Sequence, residues 1–468
     1  MTTSAGTWAD LWRSGLFGRF VLLCLGVWLH AADSLVTATI VPAIIEDIGG
    51  IAYVGWTIAL YQIGALVAGA ATAVLCQRAG IKRVLSVASL LYGVGCALAA
   101  MAPTMPILLA ARLVQGIGGG TLIALTYVAI QQSFPEHLWG RLFAVVALIW
   151  GGGALLGPLI GGVFAHLGAW RLAFWCFTAQ AAVVWVIAAW GPAAPWVRGE
   201  PAKFPALVVG LLALAALLIA EAGALGESGA SIVLAIAGVG VLYFAAWQDR
   251  QATVKLLPAQ LLDFSHPVGA GLLMVFSLAI ATTGFWAYGP LLLKIMFGTE
   301  PIISGFILAG EALAWSTATM AVSSAPPSAS RLLIRLGAVL VALGVAGFAV
   351  AVPAGSFPGM IVCAVLQGVG FGLAWPSIVQ LVVRHADPSD QILASAAPGT
   401  LQNIGYAVGA AASGIAANAA GLADGIAVAA AQAAGVGVFA GFMPVLAVGL
   451  VAAWRFTAME TRKGGIST

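Results

Sequence analysis

Fourteen stretches of this chain run for about 20 residues with hardly a charged side chain, the length an α-helix needs to cross a bilayer. They lie near 17–45, 51–76, 84–102, 105–132, 140–165, 170–191, 205–223, 231–247, 267–293, 302–323, 333–352, 357–383, 393–421 and 436–456. One soluble core cannot hide that many apolar helices. The composition agrees: 62% of residues are hydrophobic, 7% are charged and the mean hydropathy is +1.06. A soluble protein of 468 residues needs far more charge on its surface. The net charge of +3 is small and scattered, which argues against nucleic-acid binding. Cys24, Cys76, Cys96, Cys176 and Cys363 form no CxxC pair and read as small buried hydrophobes, not a disulfide framework or metal site. No cofactor is implied. Ahead of the first span, Trp8, Leu11, Trp12 and Leu16 share one helical face, which suits a short helix at the membrane interface.

The basic residues orient the spans. With both termini in the cytoplasm, sixteen Lys and Arg fall on the inner side and two, Arg171 and Lys294, on the outer. Arg112 lies within a span, which accounts for all 19. A missed span would invert everything after it, so this asymmetry supports an even count.

A repeat divides the chain. Gln115-Gly116-Ile117-Gly118 returns as Gln367-Gly368-Val369-Gly370, an ungapped offset of 252. The same offset carries Gly153 onto Gly405, Gly157 onto Gly409 and Gly162 onto Gly414. The expected fold is an all-α membrane protein of two pseudo-symmetric six-helix bundles plus two inserted transmembrane helices. Residues 1–191 form the first bundle, 192–266 a linker with the two extra spans, and 267–468 the second bundle. The linker carries Pro192, Pro195, Pro201 and Pro205. Duplicated hydrophobic bundles are the architecture of secondary transporters, whose halves rock around a central site.

Several motifs resemble the major facilitator superfamily. Span 4 carries Arg112-Leu-Val-Gln115-Gly116-Ile-Gly118, similar to that superfamily's RxxQGxG. Span 5 carries Gly153, Gly157, Pro158, Gly161 and Gly162, which resembles the GxxxGPxxGG of its proton-coupled exporters. Asp33, followed by Thr37 and Pro42, is similar to the acidic motif of the fourteen-helix drug:proton antiporters, whose two-helix insertion also fits. The loop after span 2 resembles the superfamily's GxLaDRxGRR gating loop through Gln77, Arg78, Gly80, Lys82 and Arg83, with Gln77 where the family has an acid. A neutral Gln can hydrogen-bond there but offers no charge to a latch.

An ionisable group at mid-bilayer costs roughly 2.5–3.5 kcal/mol on insertion scales, so it usually has a partner or lines a cavity. Four such groups lie inside spans: Asp33, Arg112, Glu221 and Glu311. His30 and Thr37 share the helical face of Asp33. Asp33 and Arg112 lie in one half and can neutralise each other. Protonating Asp33 would break the pair and make a proton switch; the alternative is a permanent ion pair that only holds the half together. Arg112 maps onto Ala364 and Trp150 onto Gln402, so the halves have different jobs. Glu311, four residues before Trp315, offers a carboxylate beside an aromatic ring, a cradle for a lipophilic cation. Gln62, Trp286, Tyr288, Trp375, Gln402, Asn403 and Tyr406 are further candidates for the substrate cavity. Glu221, near the outer end of span 7, reads as solvated. Small residues at Gly153, Gly157 and Gly161 let helices approach closely.

The expected function is a proton-coupled antiporter that exports amphiphilic cations by alternating access. The alternative is an exporter of a dedicated lipid, siderophore or secondary metabolite. A non-transporting sensor would need soluble domains or charged tails. No nucleophile motif, metal cluster or paired carboxylates point to an enzyme. The expected partners are a small-molecule substrate, protons and the bilayer, for a monomer in a bacterial inner membrane.

Overall fold

The computed structural model describes residues 8–13, 15–191, 204–225, 229–252, 254–323, 325–388, 390–424 and 427–464. The linker residues Pro192, Pro195 and Pro201 lie outside the described residues. Lipid offers no partner to a backbone N–H or C=O, so an apolar run satisfies them internally as a helix. In chain order the helices are α1 (Trp8–Arg13), α2 (Phe17–Ile48), α3 (Val54–Ala79), α4 (Ile81–Met101), α5 (Met105–Ser133), α6 (Trp139–His166) and α7 (Trp170–Trp190). There follow α8 (Ala206–Ala224), α9 (Gly229–Gln251), α10 (Pro267–Phe297), α11 (Pro301–Val322), α12 (Ser330–Ala351) and α13 (Phe357–His385). The last are α14 (Gln391–Ala419), α15 (Val428–Ala440) and α16 (Met443–Gly464).

Among the described residues, twelve spans are long and apolar enough to cross a bilayer, α15 and α16 counting together as one, and the bent α2 makes a thirteenth. The helix that the sequence counts as its thirteenth span, α14, is 29 residues long but is not among them. Its Gly, Ser, Asn and Gln residues lower its hydropathy, and it packs on α3, α8 and α10. The last span begins earlier than the sequence suggests and is interrupted at 441–442. In α2, the arms Phe17–Asp33 and Leu35–Ile48 meet at 41°. The Thr37 hydroxyl donates to the Asp33 carbonyl at 3.1 Å, a side-chain bond of the kind that bends helices. At the amino end, α1 buries Leu11 and leaves Trp12 exposed against the Phe17 ring.

Helices α2–α7 share one core, and α10–α16 share two adjoining cores. The bundles repeat each other contact by contact. A Cβ on Gly116 would strike the Tyr61 backbone, and one on Gly368 the Glu311 backbone, an offset of 250 between α3 and α11. Gly95 meets Gln115 as Gly344 meets Gln367, an offset of 249 between α4 and α12. A Cβ on Gly157 would stand 2.7 Å from the Ala32 carbonyl oxygen and one on Gly409 2.6 Å from that of Ile280, an offset of 248 between α2 and α10. That last register also superposes Pro42 on Pro290, both inside helices.

Cys76, Cys96 and Cys363 are buried, as expected of small hydrophobes, but Cys176 is exposed on α7. Glu221 is exposed near the end of α8.

Candidate functional site

The first bundle holds a charged pair in its interior. Asp33 is fully buried and Arg112 is 1% exposed. An Nη1 of Arg112 donates to Asp33 Oδ2 at 2.9 Å and to Gln115 Oε1 at 2.7 Å. Its Nε donates to the Thr57 carbonyl at 3.2 Å, and its guanidinium lies 4.2 Å from the Tyr61 ring centroid. The amide of Gln115 donates to Cys96 Sγ at 3.0 Å. The other Asp33 oxygen, Oδ1, is buried without a hydrogen-bond partner among the described residues. A buried pair broken by removing one partner leaves an uncompensated charge. Removing either Asp33 or Arg112 would therefore leave the other charge buried without its counter-ion.

His30, one turn before Asp33, joins this cluster. Its Nδ1 hydrogen-bonds the Tyr61 hydroxyl at 2.9 Å, and its ring lies edge-on to Trp150 at 5.5 Å. Gly119 makes room for that bond, since a Cβ there would stand 2.7 Å from the Tyr61 hydroxyl and 3.0 Å from His30 Nδ1.

The second bundle holds a lone acid. Glu311 on α11 is 4% exposed, and its Oε2 accepts from the Trp286 indole at 3.0 Å. Trp286 in turn lies 5.2 Å from the Tyr406 ring, and Gln402 sits one turn before Tyr406 on α14. Trp315 stacks on Phe371 at 4.9 Å and lies 6.2 Å from Trp375. Among the described residues, no Lys, Arg or His lies within ion-pair distance of Glu311. The arrangement can hold a cation whose charge Glu311 meets and whose apolar body the rings cover.

The structure thus groups Glu311, Trp286, Tyr406 and Gln402, with Trp315 one turn from Glu311 and beside Trp375. Tyr288 is fully buried in the apolar cluster against which Trp286 also packs. Gln62 is half-buried on α3, and Asn403 is exposed on α14.

The span 5 glycines pack α6 in two directions. Gly153, Gly157 and Gly161 lie on Ala31, Ala32 and Val36 of α2, flanking Asp33. Gly162 lies on α11, where a Cβ would stand 2.8 Å from Ile302 Cα, and Gly305 lies on the Pro158 carbonyl. In the loop between α3 and α4, Gly80 adopts a φ of 85°, which suits glycine. Arg78 and Arg83 are exposed and Gln77 is half-buried. Lys82 Nζ donates to the Gly191 carbonyl at the end of α7, within the first bundle.

Contacts between bundles gather at one end. Lys294 pairs with Glu46 at 2.5 Å, and His166 lies 3.4 Å from Glu300. Gly55 of α3 lies on the Ala410 carbonyl of α14. Arg171 and Trp170 both donate to Asp47 at this same end.

The sequence reading missed Tyr61, Thr57, Gln115 and Cys96 as members of the Asp33 cluster. Tyr61 carries no charge, and its counterpart Glu311 falls outside the ungapped register of 252, because loops of different length shift α3 and α11 to 250. The Gly118-Gly119-Gly120 run was the available signal, since three successive glycines in one span mark a crowded helix.

Residues 23–330 match the model of the Major Facilitator Superfamily. The chain is 30% identical to a protein of Mycobacterium tuberculosis named probable multidrug-efflux transporter, over 98% of each chain. It is 22% identical to the multidrug efflux pump SdrM of Staphylococcus aureus, over 83% of this chain and 87% of that one. Its fold resembles that of a D-xylose–proton symporter with a TM-score of 0.66 at 17% identity, over 94% and 97% of the two chains. A bacterial homologue of the lysosomal transporter Spinster, solved inward-facing and occupied, gives 0.64 at 15% identity over 98% of each.

Proposed function

The chain belongs to the Major Facilitator Superfamily, and from that premise we propose that it is a multidrug exporter driven by protons. Its halves are residues 1–191 and 267–468, joined by 192–266 with the inserted hairpin, in fourteen spans with both termini cytoplasmic. Asp33 takes up and releases the coupling proton against Arg112, and the substrates are amphiphilic cations received at Glu311. The observation that carries this reading is the contrast between two buried acids. Asp33 has an internal counter-ion at 2.9 Å, while among the described residues Glu311 has a neutral indole donor and no basic partner. A carboxylate in a poorly polarisable interior attracts a cation far more strongly than it would in water.

Alternating access needs a closed side. The Lys294–Glu46 pair and the Gly162, Gly305 and Gly55 contacts all join the bundles at the end assigned as outer, which corresponds to an inward-facing state. Exchange of one proton for one monovalent cation is electroneutral and runs on the pH gradient alone.

Purified full-length protein in proteoliposomes tests this. Proton release should follow addition of lipophilic cations and should be absent with anionic lipids and neutral amphiphiles of similar size. Proton flux that responds only to anionic lipids would sink the cation reading in favour of a dedicated lipid exporter. Cysteine probes test the topology. Gly80 and Ser328, at matching turns of the two bundles, should label from the cytoplasm and Gly355 from outside. Labelling of Gly80 and Ser328 from opposite sides would sink the fourteen-span count.

A further inference from the structure

The inserted hairpin α8–α9 touches both bundles, but its attachments to them differ. At one end its exit is tied to the second bundle. The Asp249 carboxylate, on α9, accepts from the backbone N–H of Leu256 at 2.8 Å and of Leu257 at 3.0 Å. The segment it orders is bonded to the turn before α14: Ala259 N–H donates to Asp390 Oδ2 at 3.1 Å, and Gln260 Nε2 to Asp387 Oδ2 at 2.5 Å. At the other end α8 lies backbone to backbone on α14, where a Cβ on Gly223 would stand 2.8 Å from the Ala411 carbonyl. Val208, Leu212, Ile219 and Ala220 of α8 belong to the core of the second bundle.

The first bundle meets the hairpin's outer end through the stretch 52–56. The Trp56 indole donates to the Ala220 carbonyl at 2.6 Å. Asn418, 7% exposed in the last turn of α14, gives one amide group to two bodies. Its Nδ2 donates to the Gly223 carbonyl of the hairpin at 2.7 Å and to the Ala52 carbonyl of the first bundle at 2.9 Å. Two carbonyls facing one amide demand its NH₂ end, so the orientation is dictated, even though Oδ1 is left buried without a partner.

We infer that Asn418 is a positioning residue for transport: it closes the outer side by tying the inserted hairpin, which travels with the second bundle, to residue 52 of the first. When the halves rock, the hairpin stays with α14, and the Asn418–Gly223 bond survives. The contacts that part are Asn418 from Ala52, Trp56 from Ala220 and Gly55 from Ala410. The hairpin is then the wall of the outer gate on the α3–α14 side, opposite the α6–α11 seam. The inference rests on rocking of the two halves, as proposed above.

Spin-label pairs in the reconstituted full chain test it. Labels at the exposed positions Tyr53, Leu225 and Val428 report on the first bundle, the hairpin and the second bundle. In Asn418→Leu, which keeps the size and removes the donors, the Tyr53–Leu225 and Tyr53–Val428 distances should shift together toward longer values. Leu225–Val428 should stay unchanged. Substrate affinity should remain within about twofold while turnover changes severalfold, a split that loss of folding does not produce. Trp56→Phe, which removes only the indole donor, should shift the same two distances by less. A Leu225–Val428 distance that lengthens while Tyr53–Leu225 holds would assign the hairpin to the first bundle and overturn the inference. So would an Asn418→Leu protein whose distances match a wild type that itself responds to substrate and pH. A wild type with one fixed set of distances under every condition overturns the rocking reading as well.

Discussion

The two bundles share a scaffold and differ in what they bury. Applying the registers found between them, Asp33 corresponds to Ala281, Arg112 to Ala364, His30 to Leu278 and Cys96 to Val345, while Gln115 corresponds to Gln367. In the first bundle Gln115 bridges Arg112 and Cys96. In the second, Gln367 keeps the same close packing on its neighbour helix, but both its amide atoms are buried without a partner among the described residues. Conversely, Tyr61 of the first bundle corresponds to Glu311 of the second, and Trp150 to Gln402. One half neutralises its acid internally with Arg112. The other presents an acid that, among the described residues, meets an indole donor and no basic side chain. Glycine contacts set the helix spacing in both, so chemistry could diverge without moving a helix.

The largest effect expected from this asymmetry is in the first bundle. Asp33→Asn leaves Arg112 buried without its counter-ion and removes the group that exchanges the proton. Proton-driven transport should fall by about 100-fold or more, which corresponds to about 2.7 kcal/mol, while downhill exchange and substrate binding survive. Vesicles are the readout; an Asp33→Asn protein that moves protons like wild type would end the division of labour between the halves.

A smaller and more selective loss is expected in the second bundle. Glu311→Gln keeps the shape and the Trp286 contact but removes the charge. Transport of lipophilic cations should drop about tenfold, which corresponds to about 1.4 kcal/mol, with neutral substrates spared. Equal loss for charged and neutral compounds would make Glu311 a structural or proton-coupling residue, and the comparison would have to be redrawn.

The smallest effect separates scaffold from site. Gly119→Ala places a methyl group against the Tyr61–His30 bond, whereas Gly310, beside Glu311, has nothing within 4 Å of a Cβ. Overpacking a tight site costs about 1–3 kcal/mol. Gly119→Ala should lower the melting temperature by a few degrees and reduce turnover severalfold, and Gly310→Ala should change neither. Melting curves that move equally for both would show that the crowding around His30 is not special to the first bundle.

Apolar run length determined the helices by itself, because a backbone in lipid has no alternative to internal hydrogen bonding. Buried Asp33, Arg112 and Glu311 were likewise legible as functional candidates, since a charge in an apolar run has a high cost wherever the run ends up. The glycine pattern marked the duplicated packing of α5 and α6 on their neighbours. The sequence alone did not disclose which groups meet. Tyr61, Thr57 and Cys96 joined the Asp33 cluster, and Trp286 and Tyr406 reached Glu311 while Tyr288, on the same helix as Trp286, did not. Two residues along a helix turn a side chain by about 200°, so Trp286 and Tyr288 leave α10 in nearly opposite directions. The ungapped register of 252 drifts to 248 in α2 because loops absorb length differences that packing ignores. The role of Asn418 was equally hidden: its partners, Ala52 and Gly223, are backbone carbonyls far away in sequence. Any residue can supply a carbonyl, so only the folded chain could place two of them around one amide.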